Sequence, residues 1–180
     1  KVHLDGARLF NAAVALDIDV EVLTKRVDSV MFCLSKGLSA PVGSIVCGER
    51  GFIHRARKFR KMVGGGMRQA GHLAAAGLVA LESLTERLKD DHLHAKFLAE
   101  QLASFEGIEL DQNSVKTNII FFKLNHPRID EDQFLRALEV NSIKILMTDP
   151  GIFRAVLHRE ITREQVEVVA KIIQSVLNKK

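Results

Sequence analysis

Lys36 lies in Ser35-Lys36-Gly37-Leu38-Ser39-Ala40-Pro41, a turn-rich loop that directly follows the apolar run DSVMFCL at residues 28–34. A lysine just beyond the carboxyl end of a buried strand stands where open α/β sheets bind ligands. Its amine can be desolvated there and made nucleophilic towards an aldehyde. The competing reading is an ordinary surface-loop lysine. Asp5 is placed in the same way, at the end of a short strand over residues 2–4 and beside Gly6, whose missing Cβ lets the backbone approach a ligand. A carboxylate at that point can hold a proton on a heterocyclic nitrogen and make the ring a better electron sink; it can equally be a turn or N-cap aspartate. Arg8 follows three residues later, one turn into a helix, and would share a face with Asp5. A guanidinium there can fork onto a carboxylate, or simply pair with Asp5 at the surface.

A third group is Gly64-Gly65-Gly66-Met67-Arg68-Gln69. Glycines that open a helix expose backbone N–H groups at its positive end, a natural anion site. No GK[ST] follows, so this is not a nucleotide P-loop. Arg68 in a first helical turn opposes the helix dipole unless an anion sits nearby, and Lys61 just before the glycines is a candidate for the same place. Arg50, Arg55, Arg57, Lys58, Arg60, Lys61 and Arg68 crowd one stretch. A solvated helix face, a small phosphate ligand and a nucleic-acid surface are the three readings of that run. With neither Trp nor Tyr in the chain, the stacking surface of a single-strand binder is thin.

These groups need elements to hold them. Residues 7–16 carry apolar side chains at helical spacing, residues 28–34 and 43–48 read as buried strands, and residues 49–62 as a basic helix. Met67 is expected to open a long alanine-rich helix that runs to Leu84. Beyond it, residues 86–105 form a charged amphipathic helix with Leu88, His92, Ala95, Leu98 and Leu102 on one side. Residues 118–124 are a strand, and residues 130–139 a helix capped by Asp130 or Glu131. Residues 142–147 and 153–157 are short strands, and residues 161–177 a terminal helix with Thr162 and Gln165 in capping-box spacing. Alternating strands and helices predict an α/β protein, with the end of a large sheet domain over 1–85 and a small α/β domain over 86–180.

Composition narrows the setting. The 180 residues are 47% hydrophobic and 27% charged with net charge +4, a soluble globular balance. No apolar run approaches the roughly 20 residues of a membrane span, and the opening residues lack the apolar core of a signal peptide. Cys33 and Cys47 each lie in an apolar run typical of a buried strand and form neither a disulfide framework nor a metal-ligand spacing, which favours a reducing cytoplasm.

The three groups together resemble a known family. His3-Leu4-Asp5-Gly6-Ala7-Arg8-Leu9-Phe10-Asn11-Ala12 is similar to the HxDGARxxNA signature of low-specificity L-threonine aldolases, enzymes that depend on pyridoxal phosphate (PLP). Residues 35–44 resemble their cofactor-lysine loop, and Arg60-Lys61-Met62 with Gly64-Gly65-Gly66-Met67-Arg68-Gln69 resembles their RKxxGGGMRQ segment. The likeness runs through all 180 residues and implies the C-terminal half of a PLP-dependent transferase-like fold of type I. Lys36 would then carry PLP, Asp5 would hold its pyridine nitrogen and Ala7 would pack on the ring face. Arg8 and Arg154 would bind the substrate α-carboxylate. Arg68 would reach a cofactor phosphate across a subunit boundary, with Lys61 close by. Arg154 lies in Phe153-Arg154-Ala155-Val156-Leu157-His158, similar to the family's R-x-V-T-H, with Leu157 in place of the usual threonine.

The implied activity is cleavage of L-threonine or L-allo-threonine to glycine and acetaldehyde, in a cytoplasmic dimer or tetramer with shared sites, with no metal, nucleic acid or membrane partner. The family's phosphate loop and ring-stacking histidine belong to an N-terminal half that is not in this sequence, and His3, His54, His72 and His158 are expected to be structural. If these 180 residues are the whole product, weak PLP binding and little activity are expected. Two other readings are a β-eliminating lyase or transaminase of the same fold, and an inactive truncated paralogue that serves as an interface partner.

Overall fold

The computed structural model describes residues 1–178. The chain divides into two compact units, Lys1–Leu88 and a second that begins at Lys89.

The first unit holds a three-stranded sheet in the order β1 (His3–Asp5), β2 (Ser29–Cys33), β3 (Ser44–Gly48). β1 and β2 run parallel, with Asp5 opposite Met31, and β3 returns antiparallel to β2. Between β1 and β2 the chain forms helices α1 (Leu9–Leu16) and α2 (Val20–Thr24), the latter not anticipated from sequence. Asp17, in the left-handed region at φ 54°, ends α1 by sending its N–H to the carbonyls of Ala13 and Val14. The core gathers Leu9, Val30, Phe32, Leu34, Leu38, Ala40, Ala80 and Leu88, with the Phe10 ring edge-on to Phe32 at 5.2 Å.

Two expectations fail here for identifiable reasons. The strand expected to be buried over residues 43–48 forms, but β3 is an edge strand and none of its residues is buried. Cys47 is accordingly exposed and Cys33 half-buried. The second concerns α3 (Arg50–Met62) and α4 (Gly71–Ser83). The three glycines do not open α4; they close α3. Gly64, at φ 84°, donates to Lys61 O at 3.2 Å and Gly65 donates to Arg60 O at 2.8 Å, a Schellman closure of the preceding helix. Gln69, at φ 44°, then keeps residues 67–70 out of the helix, so α4 starts four residues later than Met67. Leu73, Gly77, Ala80, Leu81 and Leu84 form its inward stripe, while Leu78 and Val79 stay exposed.

In the second unit an antiparallel sheet runs β4 (Ile108–Glu109), β5 (Ile119–Leu124), β7 (Ile152–Val156), β6 (Leu146–Asp149). Helices α5 (Leu88–Leu102), α6 (Glu131–Val140) and α7 (Arg163–Leu177) contribute to one core with its inner face. β5 alternates as a half-buried strand should: Ile120, Phe122 and Leu124 are buried, Phe121 and Lys123 exposed. Phe122, Phe134 and Phe153 meet at 5.3–6.3 Å between ring centres. The buried Asn118 amide donates to Leu157 O at 2.7 Å and ties the start of β5 to the end of β7. α6 and α7 both carry the capping box, Asp130 with Gln133 and Thr162 with Gln165. The strand expected over residues 142–147 is shorter and later, because Ser142, at φ 60°, belongs to the turn that ends α6.

Candidate active site at the carboxyl edge of the parallel strand pair

Parallel pairing decides where the chemistry-bearing residues of the first unit stand. β1 ends at Asp5 and β2 at Cys33, so Asp5 and the Lys36 loop leave the sheet at the same carboxyl edge, on neighbouring strands. Two hydrogen bonds bind the turn after β1 to β2: Gly6 N–H to Met31 O at 2.9 Å and Cys33 N–H to Ala7 O at 3.3 Å. Gly6 has to be glycine. A Cβ there would lie 2.9 Å from the Met31 carbonyl oxygen and 3.2 Å from Leu9 Cβ. Asp5 does not cap α1: Leu9 N–H closes on Gly6 O, and the residue at the N-cap position is Arg8. Arg8 is therefore at the mouth of α1 rather than one turn inside it, which corrects the sequence expectation. Asp5 is exposed, Ala7 and Arg8 half-buried.

The Lys36 loop is closed on itself. Ser39 N–H donates to Lys36 O at 2.9 Å, Ala40 N–H to Leu34 O at 3.0 Å, and Leu34 N–H to Gly43 O at 2.9 Å. Ser39 holds φ 60°, and Leu38 and Ala40 are buried beneath the loop. Lys36 itself is exposed. Asn11 of α1, a member of the family signature with no role assigned to it, is only 3% exposed and lies against Gly37. Its signal was present: an amide in the first turn of an otherwise apolar helix.

The remaining candidates are dispersed. Arg68 is an exposed residue of the segment between α3 and α4, not of a first helical turn, so the dipole argument for an anion beside it falls. Lys61, in the last turn of α3, folds its side chain over Gly66, with Nζ 3.5 Å from the place of a Cβ there. α3 buries none of its residues, and its cations form an exposed basic face. Arg154 belongs to the second unit, half-buried on β7, with Phe121 and Leu146 opposite it on the adjoining strands. His3 Nδ1 is 2.8 Å from Ser29 Oγ across β1 and β2, whereas His54, His72 and His158 are exposed and hold no core.

At the amino edge of the same sheet, Asp28 accepts from Lys1 Nζ at 2.8 Å and from Val2 N–H at 2.7 Å. These bonds, the lysine's first, hold the carboxyl below its usual range. The donor set at the carboxyl edge is an amine, a carboxylate and a guanidinium, beside a backbone stripped of Cβ. That is the chemistry an aldehyde-bearing, cationic heterocycle needs.

The sequence profile of the beta-eliminating lyases matches residues 1–125. The chain belongs to the beta-eliminating lyase family. Low-specificity L-threonine aldolase 1 of Arabidopsis thaliana is 43% identical over 98% of this chain and 50% of its own length. The low specificity L-threonine aldolase of Escherichia coli K12 is 41% identical over 94% of this chain and 49% of its own. The chain thus spans about half the length of the curated relatives it matches. The solved threonine aldolase of Leishmania major covers 97% of this chain at a TM-score of 0.72 and 18% identity, and is itself covered over 51%. That likeness establishes the fold, the α/β arrangement expected from the sequence. Among the described residues no helix is long and apolar enough to cross a membrane.

Proposed function

We propose that this chain is the C-terminal half of a PLP-dependent aldolase that cleaves L-threonine and L-allo-threonine to glycine and acetaldehyde. The observation that carries the reading is the shared carboxyl edge of β1 and β2, which sets Asp5 and the Lys36 loop side by side. Residues 1–85 belong, on this reading, to the larger cofactor-binding domain and residues 86–180 to the small one. Identities of 41–43% to low-specificity L-threonine aldolases support the substrate class.

The chain's own residues have definite tasks. Lys36 would hold the cofactor through its Nζ. Asp5 would keep a proton on the pyridine nitrogen, and the methyl group of Ala7 would pack on the ring face. Bound PLP supplies the sink for the electron pair released when the Cα–Cβ bond breaks. Arg8 in the first unit and Arg154 in the second are each assigned to the substrate carboxylate, whose grip fixes which bond faces the ring. Arg68, with Lys61 near it, is assigned to a cofactor phosphate held by a neighbouring copy, so the working form is a homo-oligomer in the cytoplasm.

Incubation of the full-length enzyme that contains these residues with PLP and L-threonine tests the reaction. Glycine and acetaldehyde in equal amounts are expected. Release of ammonia instead would reassign the chain to elimination chemistry on the same fold.

A further inference from the structure

Asn11 is the one polar side chain buried in α1, among Leu9, Phe10, Ala13 and Val14. An amide buried in such surroundings is costly unless its polar atoms are bonded. Its position is specific. A Cβ built on Gly37 would lie 2.8 Å from Asn11 Oδ1 and 3.5 Å from its Nδ2, with Leu88 Cδ2 at 2.9 Å. The Gly37 backbone is therefore seated between the Asn11 amide and a fully buried leucine. Gly37 is the residue after Lys36, in a loop closed by its own bonds, Ser39 N–H to Lys36 O and Ala40 N–H to Leu34 O, with Leu38 and Ala40 in the core below. Asn11 lies in the first turn of α1, which directly follows Asp5, Gly6, Ala7 and Arg8, the segment that links β1 to the helix.

We infer that Asn11 is a positioning residue: by seating Gly37 it fixes the Lys36 loop to the helix that follows Asp5, and so sets the lysine against the carboxylate. The consequence for the cofactor rests on the function proposed above; the seating itself does not.

Two variants approach the contact from opposite sides. Asn11→Leu keeps the volume and removes the amide, and Gly37→Ala keeps the amide and fills its space. Hydrogen exchange of the whole chain is followed at Ser39 and Ala40, with Gly6 and Asp28, whose N–H groups bond to Met31 O and Val2 O, as reference amides. In parallel, PLP is added, trapped with borohydride and mapped. In both variants exchange at Ser39 and Ala40 rises about fivefold or more, the factor one net hydrogen bond represents, while the reference amides hold. The share of trapped PLP on Lys36 relative to Lys61 falls by a similar factor. Unchanged exchange at Ser39 and Ala40, or an equal rise at all four amides, overturns the inference, the latter because it marks a merely stabilising residue. A local rise with no preference for Lys36 even in the unaltered chain supports the seating and removes the cofactor reading instead.

Discussion

Gly6→Ala is the sharpest perturbation of the site, because the atom that blocks the new methyl group cannot step aside. The Cβ would stand 2.9 Å from the Met31 carbonyl oxygen, where ordinary contact begins at 3.4 Å, and that oxygen belongs to the backbone of β2. The turn must retreat by about half an ångström, and the bond from Gly6 N–H to the same oxygen, 2.9 Å now, stretches with it. Losing that bond costs about 1 kcal/mol, and the residual overpacking about 1–3 kcal/mol. The stiffer unfolded chain returns about 0.4–1 kcal/mol. A net loss of about 1–3 kcal/mol remains, which at a urea slope of about 2 kcal/mol per molar lowers the unfolding midpoint by about 0.5–1.5 M. Gly71→Ala is the control: at the first residue of α4 no atom lies within 4 Å of the new Cβ, and the midpoint should hold or rise slightly. A Gly6→Ala midpoint equal to or above that of the unaltered protein would refute the claim that close approach of β1 to β2 needs a bare backbone.

Phe153→Ala removes the centre of the aromatic trio in the second unit, a fully buried ring stacked on Phe122 at 5.4 Å and edge-on to Phe134 at 5.3 Å; a loss of about 3–5 kcal/mol is expected by urea unfolding, and less than 1 kcal/mol would show that the core refills the space. Burial holds the half-buried His92 below its ordinary value, against the opposing pull of Asp91, so the unfolded chain binds the proton more tightly. Its contribution is complete above a pH of about 6.5 and is lost as the pH falls through and below that value. His92→Gln should flatten this acid-side decline in melting temperature, and an unchanged decline would assign it to other groups.

Much of this was legible in the sequence because the signals were local. The strand over residues 118–124, the capping pair Thr162–Gln165, a cap at Asp130 or Glu131, and the strand ends at Asp5 and before Lys36 all follow from composition or from the chemistry of a few neighbouring residues. What failed depends on partners or on single dihedral angles. β3 has the composition of a buried strand, but burial is decided by what packs on it, and it lies at the sheet's edge. Gly64-Gly65-Gly66 can end one helix or begin another; the left-handed Gly64 and Gln69 settle it for the first, and with it the surroundings of Arg68. Asn11 was visible as an odd amide in an apolar helix, yet its meaning appears only when Gly37, 26 positions away in the chain, is seen against it.

Lys36 as the cofactor-bearing lysine is the central claim, and covalent trapping tests it most directly. The protein is saturated with PLP, reduced with borohydride, digested and mapped by mass spectrometry, alongside Lys36→Ala. The pyridoxyl group should concentrate on Lys36, and in Lys36→Ala no other lysine should take its place. A label spread evenly over exposed lysines such as Lys58, Lys61 and Lys123, indifferent to the Lys36 substitution, would contradict it.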